Sequence, residues 1–264
     1  MTKSKLPFLL LTSLAMLLPH LAGADEAPIT VRTLRAPDGG IQPQALSDAK
    51  GTIHLIYYKG DPRSGDLYYT SKAKGAESFA RPMQVNSPSG KAIAAGSVRG
   101  VQMALGKNGR IHAVWNGSGK PTEAVFYSRM TDDGKGFEKE KNLIGSTWVM
   151  DGGCSVAADT LGQVHVVWHA LGKTTGKGEA NRKIWVAHST DEGKTFSRET
   201  PAWSQETGVC PCCSLKAFAS KEGAVQILYR SAIEGMDRDI YLLSSKDKGQ
   251  SFQGKEVHKW RLPL

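Results

Sequence analysis

The sequence predicts an all-β protein built from four successive repeats, each a four-stranded antiparallel sheet. Two short motifs recur in phase: a turn motif centred on a glycine, and a glycine followed by β-branched and aromatic residues. The glycines of the turn motif, Gly75, Gly134, Gly193 and Gly249, are separated by 59, 59 and 56 residues. A period this steady marks a repeat architecture, and the chain beyond the first two dozen residues shows no competing helical periodicity.

The first 24 residues are expected to form a secretory signal peptide. Lys3 and Lys5 precede an apolar run over 6–18, and the small residues 22–24 predict cleavage before Asp25. The apolar run is shorter than the roughly 20 residues that span a bilayer. We therefore expect export to the periplasm or the extracellular space, and no transmembrane segment in the mature chain.

The charge of the mature chain argues against a nucleic-acid partner. The formal net charge is +9 for the whole sequence, and loss of Lys3 and Lys5 with the signal leaves +7. The positive residues are scattered singly, without a basic run or a basic stripe interleaved with aromatics. Such a surface favours anionic glycans or the cell envelope over DNA or RNA.

Each repeat contains four strand-like segments. The second segment follows a glycine turn, as in GTIHLIYY from Gly51, GRIHAVWN from Gly109, GQVHVVWH from Gly162 and GAVQILYR from Gly223. Another strand-like run precedes it, a third follows, and a weaker fourth ends the unit. Four strands in a repeat of about sixty residues indicate the blades of a β-propeller. The propeller domain is expected over 25–264, with repeats at approximately 36–90, 91–145, 146–204 and 205–264.

The turn motif, S-x-D-x-G-x-x-F, lies between the third and fourth strands. Its carboxylate can accept backbone N–H bonds, its glycine can adopt positive φ, its hydroxyl can add a hydrogen bond, and its aromatic ring can pack beneath the turn. We therefore interpret the motif as structural, not catalytic. Its residues are Asp132, Gly134 and Phe137 in the second repeat, Ser189, Asp191, Gly193 and Phe196 in the third, and Ser245, Asp247, Gly249 and Phe252 in the fourth.

These turns resemble the Asp boxes, or bacterial neuraminidase (BNR) repeats, of sialidases and sialidase-like β-propellers. At the level of the repeat, the resemblance extends over the whole mature chain. It implies an exported sialidase-like propeller of four-stranded antiparallel blades. Sialidase propellers have six blades and four repeats are visible here, so the chain is either a four-bladed form or an incomplete six-bladed one.

The long connections between the second and third strands, and those between repeats, collect at one end of the sheets and predict a ligand-binding face. The resemblance implies a glycosidase of the exo-α-sialidase type, in which arginines clamp a sugar carboxylate. Arg99, Arg182, Arg230 and Arg238 could form that clamp, with Asp61 or Asp151 as the catalytic acid. An acidic glycan or another carboxylate is then the expected ligand.

A non-enzymatic binding or scaffold propeller is the alternative. The Arg-Ile-Pro signature of the family is absent from the first repeat, and no tyrosine and glutamate can be assigned as the nucleophile pair. The histidines at one position of the second strand, His54, His112 and His165, are predicted to be structural, with hydrogen bonds between blades.

The four cysteines, Cys154, Cys210, Cys212 and Cys213, lie at or just before the first strand of two successive repeats. Their sulfurs are therefore expected to lie near one another. In an exported protein they could form disulfides, with Cys154 bridging to Cys212 or Cys213. As thiolates, they could instead bind zinc or copper(I).

Overall fold

The computed structural model describes residues 30–95, 100–117, 124–148, 152–172, 176–233 and 238–260. The chain divides into two compact units, Met1–Leu34 and Arg35–Leu264, and the strands found among the described residues belong to the second. Helical structure in the described ranges is limited to three-residue 3-10 turns at Pro37–Gly39, Lys107–Gly109 and Glu179–Asn181. No helix among these residues is long and apolar enough to span a bilayer.

Within the described residues, four antiparallel sheets follow one another along the chain, and in each the four main strands pair in chain order. Sheet 1 contains β1 (Ile41–Ser47), β2 (Ile53–Asp61), β3 (Ser64–Lys72) and β4 (Met83–Gln84). Sheet 2 contains β5 (Val101–Leu105), β6 (Ile111–Asn116), β7 (Val125–Arg129) and β8 (Lys141–Asn142). Sheet 3 contains β10 (Cys154–Ala158), β11 (Val164–Gly172), β12 (Lys183–Ser189) and β13 (Thr200–Pro201), and the short β9 (Thr147–Trp148) pairs with the end of β11. Sheet 4 contains β14 (Lys216–Ala219), β15 (Val225–Arg230), β16 (Ile240–Ser245) and β17 (Gln253–His258). The predicted all-β fold with four strands per sheet is confirmed for these residues.

Apolar clusters lie between successive sheets. Trp115 belongs to the cluster between sheets 1 and 2, and Trp168 to the cluster between sheets 2 and 3; both side chains are fully buried. A third cluster, which includes Ile227 and Leu243, joins sheets 3 and 4. Phe218 and Leu228, on the opposite face of sheet 4, are 61% and 44% exposed. Burial between consecutive sheets is therefore what orders them.

The glycine turns form as predicted in the third and fourth repeats. Ser189 Oγ lies 2.7 Å from Asp191 Oδ1 and accepts a bond from Gly193 N at 2.9 Å, while Asp191 Oδ1 accepts from Thr195 N at 2.9 Å. Gly193 has φ +80°. The same bonds recur in the turn that begins at Ser245. The identification of these turns as Asp boxes stays a prediction.

The turn of the second repeat differs from the predicted one by a shift of one residue. Thr131 Oγ1 donates to Asp133 Oδ1 at 2.6 Å, and Lys135 N donates to the same oxygen at 3.0 Å. Asp132, the expected turn aspartate, instead forms an ion pair of 2.5 Å with Arg110. The adjacent aspartate can take the turn position because Thr131 supplies the hydroxyl that the missing serine would have given.

The turns also pack against the preceding sheet. Phe137 meets the ring of Tyr69 edge-on at 5.7 Å between centroids, and Phe196 meets Tyr127 in the same way at 4.7 Å. A Cβ on Gly193 would overlap the Tyr127 hydroxyl group. The turn glycine of the third repeat is therefore needed for close packing as well as for its backbone conformation.

The repeated histidines correct one prediction. His54 Nδ1 and His112 Nδ1 each lie 2.7 Å from a tyrosine hydroxyl on the neighbouring strand of the same sheet, so their hydrogen bonds do not run between sheets. The ring of His165 stacks on His188 at 4.6 Å, and its nitrogens have no hydrogen-bond partner in the described part of the chain. Their role as structural groups is consistent with this placement, in which His112 and His165 are buried and His54 is partly buried.

Candidate functional site

The predicted site residues lie on the connections between second and third strands. Asp61 ends β2, Arg182 immediately precedes β12, Arg230 ends β15 and Arg238 precedes β16. Because strands alternate in direction, these positions share one end of their sheets. Arg99 and Asp151 lie outside the described residues.

Arg238 is held by a carboxylate from the neighbouring sheet. Its Nη1 and Nη2 donate to Glu179 Oε2 and Oε1 at 3.0 and 2.9 Å, in a bidentate ion pair. The hydrogen bond to Glu179, which outweighs the effect of burial, raises the pKa of Arg238. The fork geometry expected for a sugar carboxylate is thus present, with a protein carboxylate in its place.

Arg230 lies beside Arg238 and against an aromatic ring. Its Nε donates to the carbonyl oxygen of Arg238 at 3.2 Å, and its guanidinium carbon lies 4.5 Å from the centre of the Trp260 ring. The backbone N–H of Trp260 is fixed by Asp239 Oδ1 at 2.8 Å, and the side chain is 46% exposed. We call Glu179, Arg230, Arg238 and Trp260 the arginine patch.

Trp260 is a functional candidate that the sequence reading missed. The register pairs Ile240, at the start of β16, with His258, at the end of β17. The residues after β17 therefore arrive at the same end as the β15–β16 connection. Strand order by itself could have placed Trp260 beside Arg238.

Arg182 occupies a buried position instead of an exposed one. It is 5% exposed, and its Nη1 lies 3.5 Å from Nδ1 of His169, which is 1% exposed. Burial, together with the nearby Arg182 charge, lowers the pKa of His169 to about 3. A guanidinium this enclosed could reach a ligand only through rearrangement of the surrounding loops.

Asp61 is engaged in its own turn. Its Oδ1 accepts a hydrogen bond from Arg63 N at 2.8 Å, and its carbonyl oxygen accepts one from the Tyr58 hydroxyl. The side chain belongs to sheet 1, whereas the arginine patch is formed by sheets 3 and 4. The structure therefore brings Arg230 and Arg238 together and leaves Asp61 on a different sheet.

Three of the four cysteines converge. The sulfurs of Cys210, Cys212 and Cys213, the cysteine cluster, all lie within 4.8 Å of one another. Cys210 Sγ is 2.8 Å from Cys213 Sγ and 3.3 Å from Cys212 Sγ. The expectation that Cys154 joins them is not met: it begins β10, is buried, and directs its thiol to Asn116 Oδ1 at 3.8 Å.

Two thiols of the cysteine cluster have pKa values shifted in opposite directions. Burial, with hydrogen bonds to the other two sulfurs, raises the pKa of Cys210 to about 12. Burial also opposes ionisation of Cys213, yet hydrogen bonds from Cys210 and from Arg230, whose Nη1 lies 3.7 Å from the sulfur, lower its pKa. Cys213 is therefore the thiol of the group whose ionisation its neighbours favour.

Comparisons with known proteins find similarity in structure but not in sequence. No protein-family model matches the sequence, and no curated protein matches it. A protein of unknown function from Dyadobacter fermentans superposes with a TM-score of 0.53 at 17% identity, over 81% of this chain and 68% of that one. An α-L-arabinofuranosidase from Fusarium graminearum superposes with a TM-score of 0.54 at 13% identity, over 81% of this chain and 65% of that one.

A Hadza microbial sialidase is also similar, at 15% identity and a TM-score of 0.47, over 75% of this chain and 46% of that one. The chain thus spans less than two thirds of both the arabinofuranosidase and the sialidase. At these identities the likeness concerns the fold alone: this is an all-β chain of four-stranded antiparallel sheets, with a fold similar to that of the arabinofuranosidase.

Proposed function

We propose that this protein is an exported, sialidase-like propeller that binds acidic glycans at the arginine patch. The stacked pair of Arg230 and Trp260 is the observation that carries the proposal. A guanidinium beside a partly exposed indole offers two complementary contacts for an acidic sugar. The indole face can stack on the pyranose ring, and the guanidinium can donate to the carboxylate.

The surrounding charges support an anionic ligand. Arg238 lies next to Arg230 and is neutralised by its Glu179 partner, so the guanidinium of Arg230 is the group in the patch that would attract an anion. Scattered lysines give the mature chain its +7 formal charge, which attracts anions over longer distances. A neutral sugar would use the indole but would gain nothing from the guanidinium.

Binding is favoured over hydrolysis by the arrangement of the predicted catalytic groups. A glycosidase needs an acid positioned against the bond that breaks. Among the described candidates, Asp61 is on sheet 1 and bonded within its turn. Sialidase-type hydrolysis is therefore the second candidate, and it would require Asp151 or another group to reach the patch.

The blade arrangement is part of the same proposal. Apolar clusters join sheet 1 to 2, 2 to 3 and 3 to 4, while Phe218 and Leu228 leave the other face of sheet 4 exposed. These observations support an open series of four blades, related to the six-bladed propellers that the repeats resemble.

Calorimetric titration with sialyllactose, and with lactose as the neutral control, tests the glycan proposal. We expect sialyllactose to bind, and Arg230→Ala to weaken binding by about 10-fold or more, because a charged hydrogen bond contributes roughly 1.5–3 kcal/mol. Trp260→Ala should weaken binding by about 2- to 10-fold, because an aromatic stacking contact contributes roughly 0.5–1.5 kcal/mol. Arg198→Ala, an exposed arginine on the β12–β13 connection at the opposite end of the sheets, is the matched control.

Equal binding of sialyllactose and lactose, or loss of binding in the Arg198 variant, would refute the arginine patch as an acidic-glycan site. A fluorogenic sialoside in the same assay separates the two candidates. Turnover that disappears in the Arg230 variant would establish hydrolysis instead of binding alone.

A further inference from the structure

We propose that Cys210, Cys212 and Cys213 form a copper(I) site with three thiolate ligands. The proposal does not rest on glycan binding, although Arg230 borders both sites. It concerns the Cys-Pro-Cys-Cys turn before β14, where three sulfurs converge within 4.8 Å. Two sulfurs bound to one metal at about 2.3 Å can be at most about 4.6 Å apart, so the three thiols nearly satisfy that condition without the metal.

The backbone that carries the cluster is fixed before any metal arrives. Cys210 N donates to the Arg230 carbonyl oxygen at 3.0 Å, and Cys213 N donates to the Cys210 carbonyl oxygen at 3.3 Å. Gly208 adopts φ +58°, where a Cβ would lie 2.6 Å from the Ala232 carbonyl oxygen. The turn is therefore anchored to the end of β15, and only side-chain rotations separate it from a ligating arrangement.

The ligand set favours copper(I) over zinc. Structural zinc sites are closed by four ligands, whereas the cluster found in the described ranges holds three cysteines and no histidine or carboxylate. Thiolates are soft ligands that select soft ions, and copper(I) is stable with three of them. A trigonal site separates its sulfurs by about 4 Å, which differs from the present Cys210 spacings by about 1 Å.

A neighbouring cation offsets part of the charge of such a site. Three thiolates and one copper(I) carry a net charge of −2, since binding releases up to three protons and changes no oxidation state. Arg230 Nη1 already lies 3.7 Å from Cys213 Sγ, whereas Arg238, the next arginine, is paired with Glu179. Cys212 is exposed, so an ion can enter from its side of the turn, while Cys210 is only 2% exposed.

Competition for copper(I) tests the proposal. The reduced protein, kept free of oxygen, is titrated with copper(I) in the presence of bathocuproine disulfonate. We expect one copper(I) per chain, and X-ray absorption should show three sulfur ligands at about 2.3 Å. Cys212→Ser, Cys213→Ser and Cys210→Ser should each weaken retention by about 100-fold or more, because loss of even an outer-shell partner costs roughly 10–100-fold in metal affinity, while Cys154→Ser should leave it unchanged.

Circular dichroism shows whether each variant is folded. If Cys210→Ser, at a buried position, does not fold, Cys212→Ser still tests the proposal because Cys212 is exposed. Arg230→Ala should weaken copper(I) retention by about 10-fold without changing the number of ions bound, as expected for loss of one charged contact. The proposal is overturned if the reduced protein retains no copper(I). It is also overturned if zinc is retained in preference with a fourth ligand such as His169, or if Cys154→Ser is as damaging as the other substitutions.

Discussion

The turn glycine of the third repeat offers a sharp test of how the sheets pack. Gly193 has φ +80°, and a Cβ there would overlap the Tyr127 hydroxyl group on the preceding sheet. Gly134 is the glycine of the sequence motif in the second repeat, where the turn is shifted by one residue; it has φ +68°, but a Cβ there would meet nothing within 4 Å. Alanine at the two positions therefore separates the backbone cost from the packing cost.

The expected magnitudes follow from these two situations. Positive φ costs an L-residue roughly 1–2 kcal/mol, so Gly134→Ala should lower the free energy of unfolding by about that amount. Gly193→Ala should cost about 2–5 kcal/mol, because crowding a packed interface adds roughly 1–3 kcal/mol. The displaced Tyr127 hydroxyl also lies 2.7 Å from His112 Nδ1, so the crowding threatens a buried hydrogen bond.

Urea denaturation followed by fluorescence measures both variants. Gly193→Ala should lower the free energy of unfolding by less in a Tyr127→Phe background than in the wild-type chain, because removing the hydroxyl oxygen relieves the worst overlap with the methyl group and leaves the contact of its Cβ with the ring carbon at 2.6 Å. Equal destabilisation by Gly193→Ala and Gly134→Ala would refute the reasoning, since it would mean that the turn does not press on Tyr127.

Three further predictions concern buried and paired charges. Burial lowers the pKa of His112 to about 3, so the unfolded chain binds a proton at this residue before the folded chain does. The melting temperature should therefore be highest above about pH 6.5 and fall toward pH 5. A melting temperature that does not change over this range would contradict the prediction. Despite opposing burial, hydrogen bonds from its own turn hold the pKa of Asp191 at about 2. The contribution of Asp191 to folding stability should be present above about pH 4 and lost as the pH falls toward 2. In the Asp191→Asn variant the melting temperature should therefore change less with pH between these values. Glu179→Gln should lower the free energy of unfolding by about 1 kcal/mol, because it weakens the ion pair with Arg238. The control Glu206→Gln, at an exposed glutamate, should lower it by less than about 0.5 kcal/mol. Equal losses in the two variants would argue against a stabilising Glu179–Arg238 pair.

Local features of the sequence predicted the strands and the turns. The strands are indicated by alternating β-branched and aromatic residues, and the turns by a short glycine motif that recurs at a steady period. Each of these patterns lies within a few neighbouring positions of the chain. The same locality explains the error at Asp132. Whether Asp132 or Asp133 caps the turn depends on Arg110, which binds Asp132 from outside the motif.

The candidate site was only partly predictable. Strand order placed the arginines at one end of the sheets, yet it could not show that Glu179 already occupies the fork of Arg238 or that Arg182 is buried against His169. These pairings join residues from connections whose conformation no short-range pattern specifies.

The sequence by itself determined the all-β repeat, the number of strands in each sheet and the end at which polar loops collect, because hydrophobic alternation and turn chemistry are local. Only the tertiary structure decided which groups meet: Trp260 over Arg230, and Cys210, Cys212 and Cys213 without Cys154. Those contacts depend on how successive sheets bury their apolar faces, which sets distances between residues far apart in the chain.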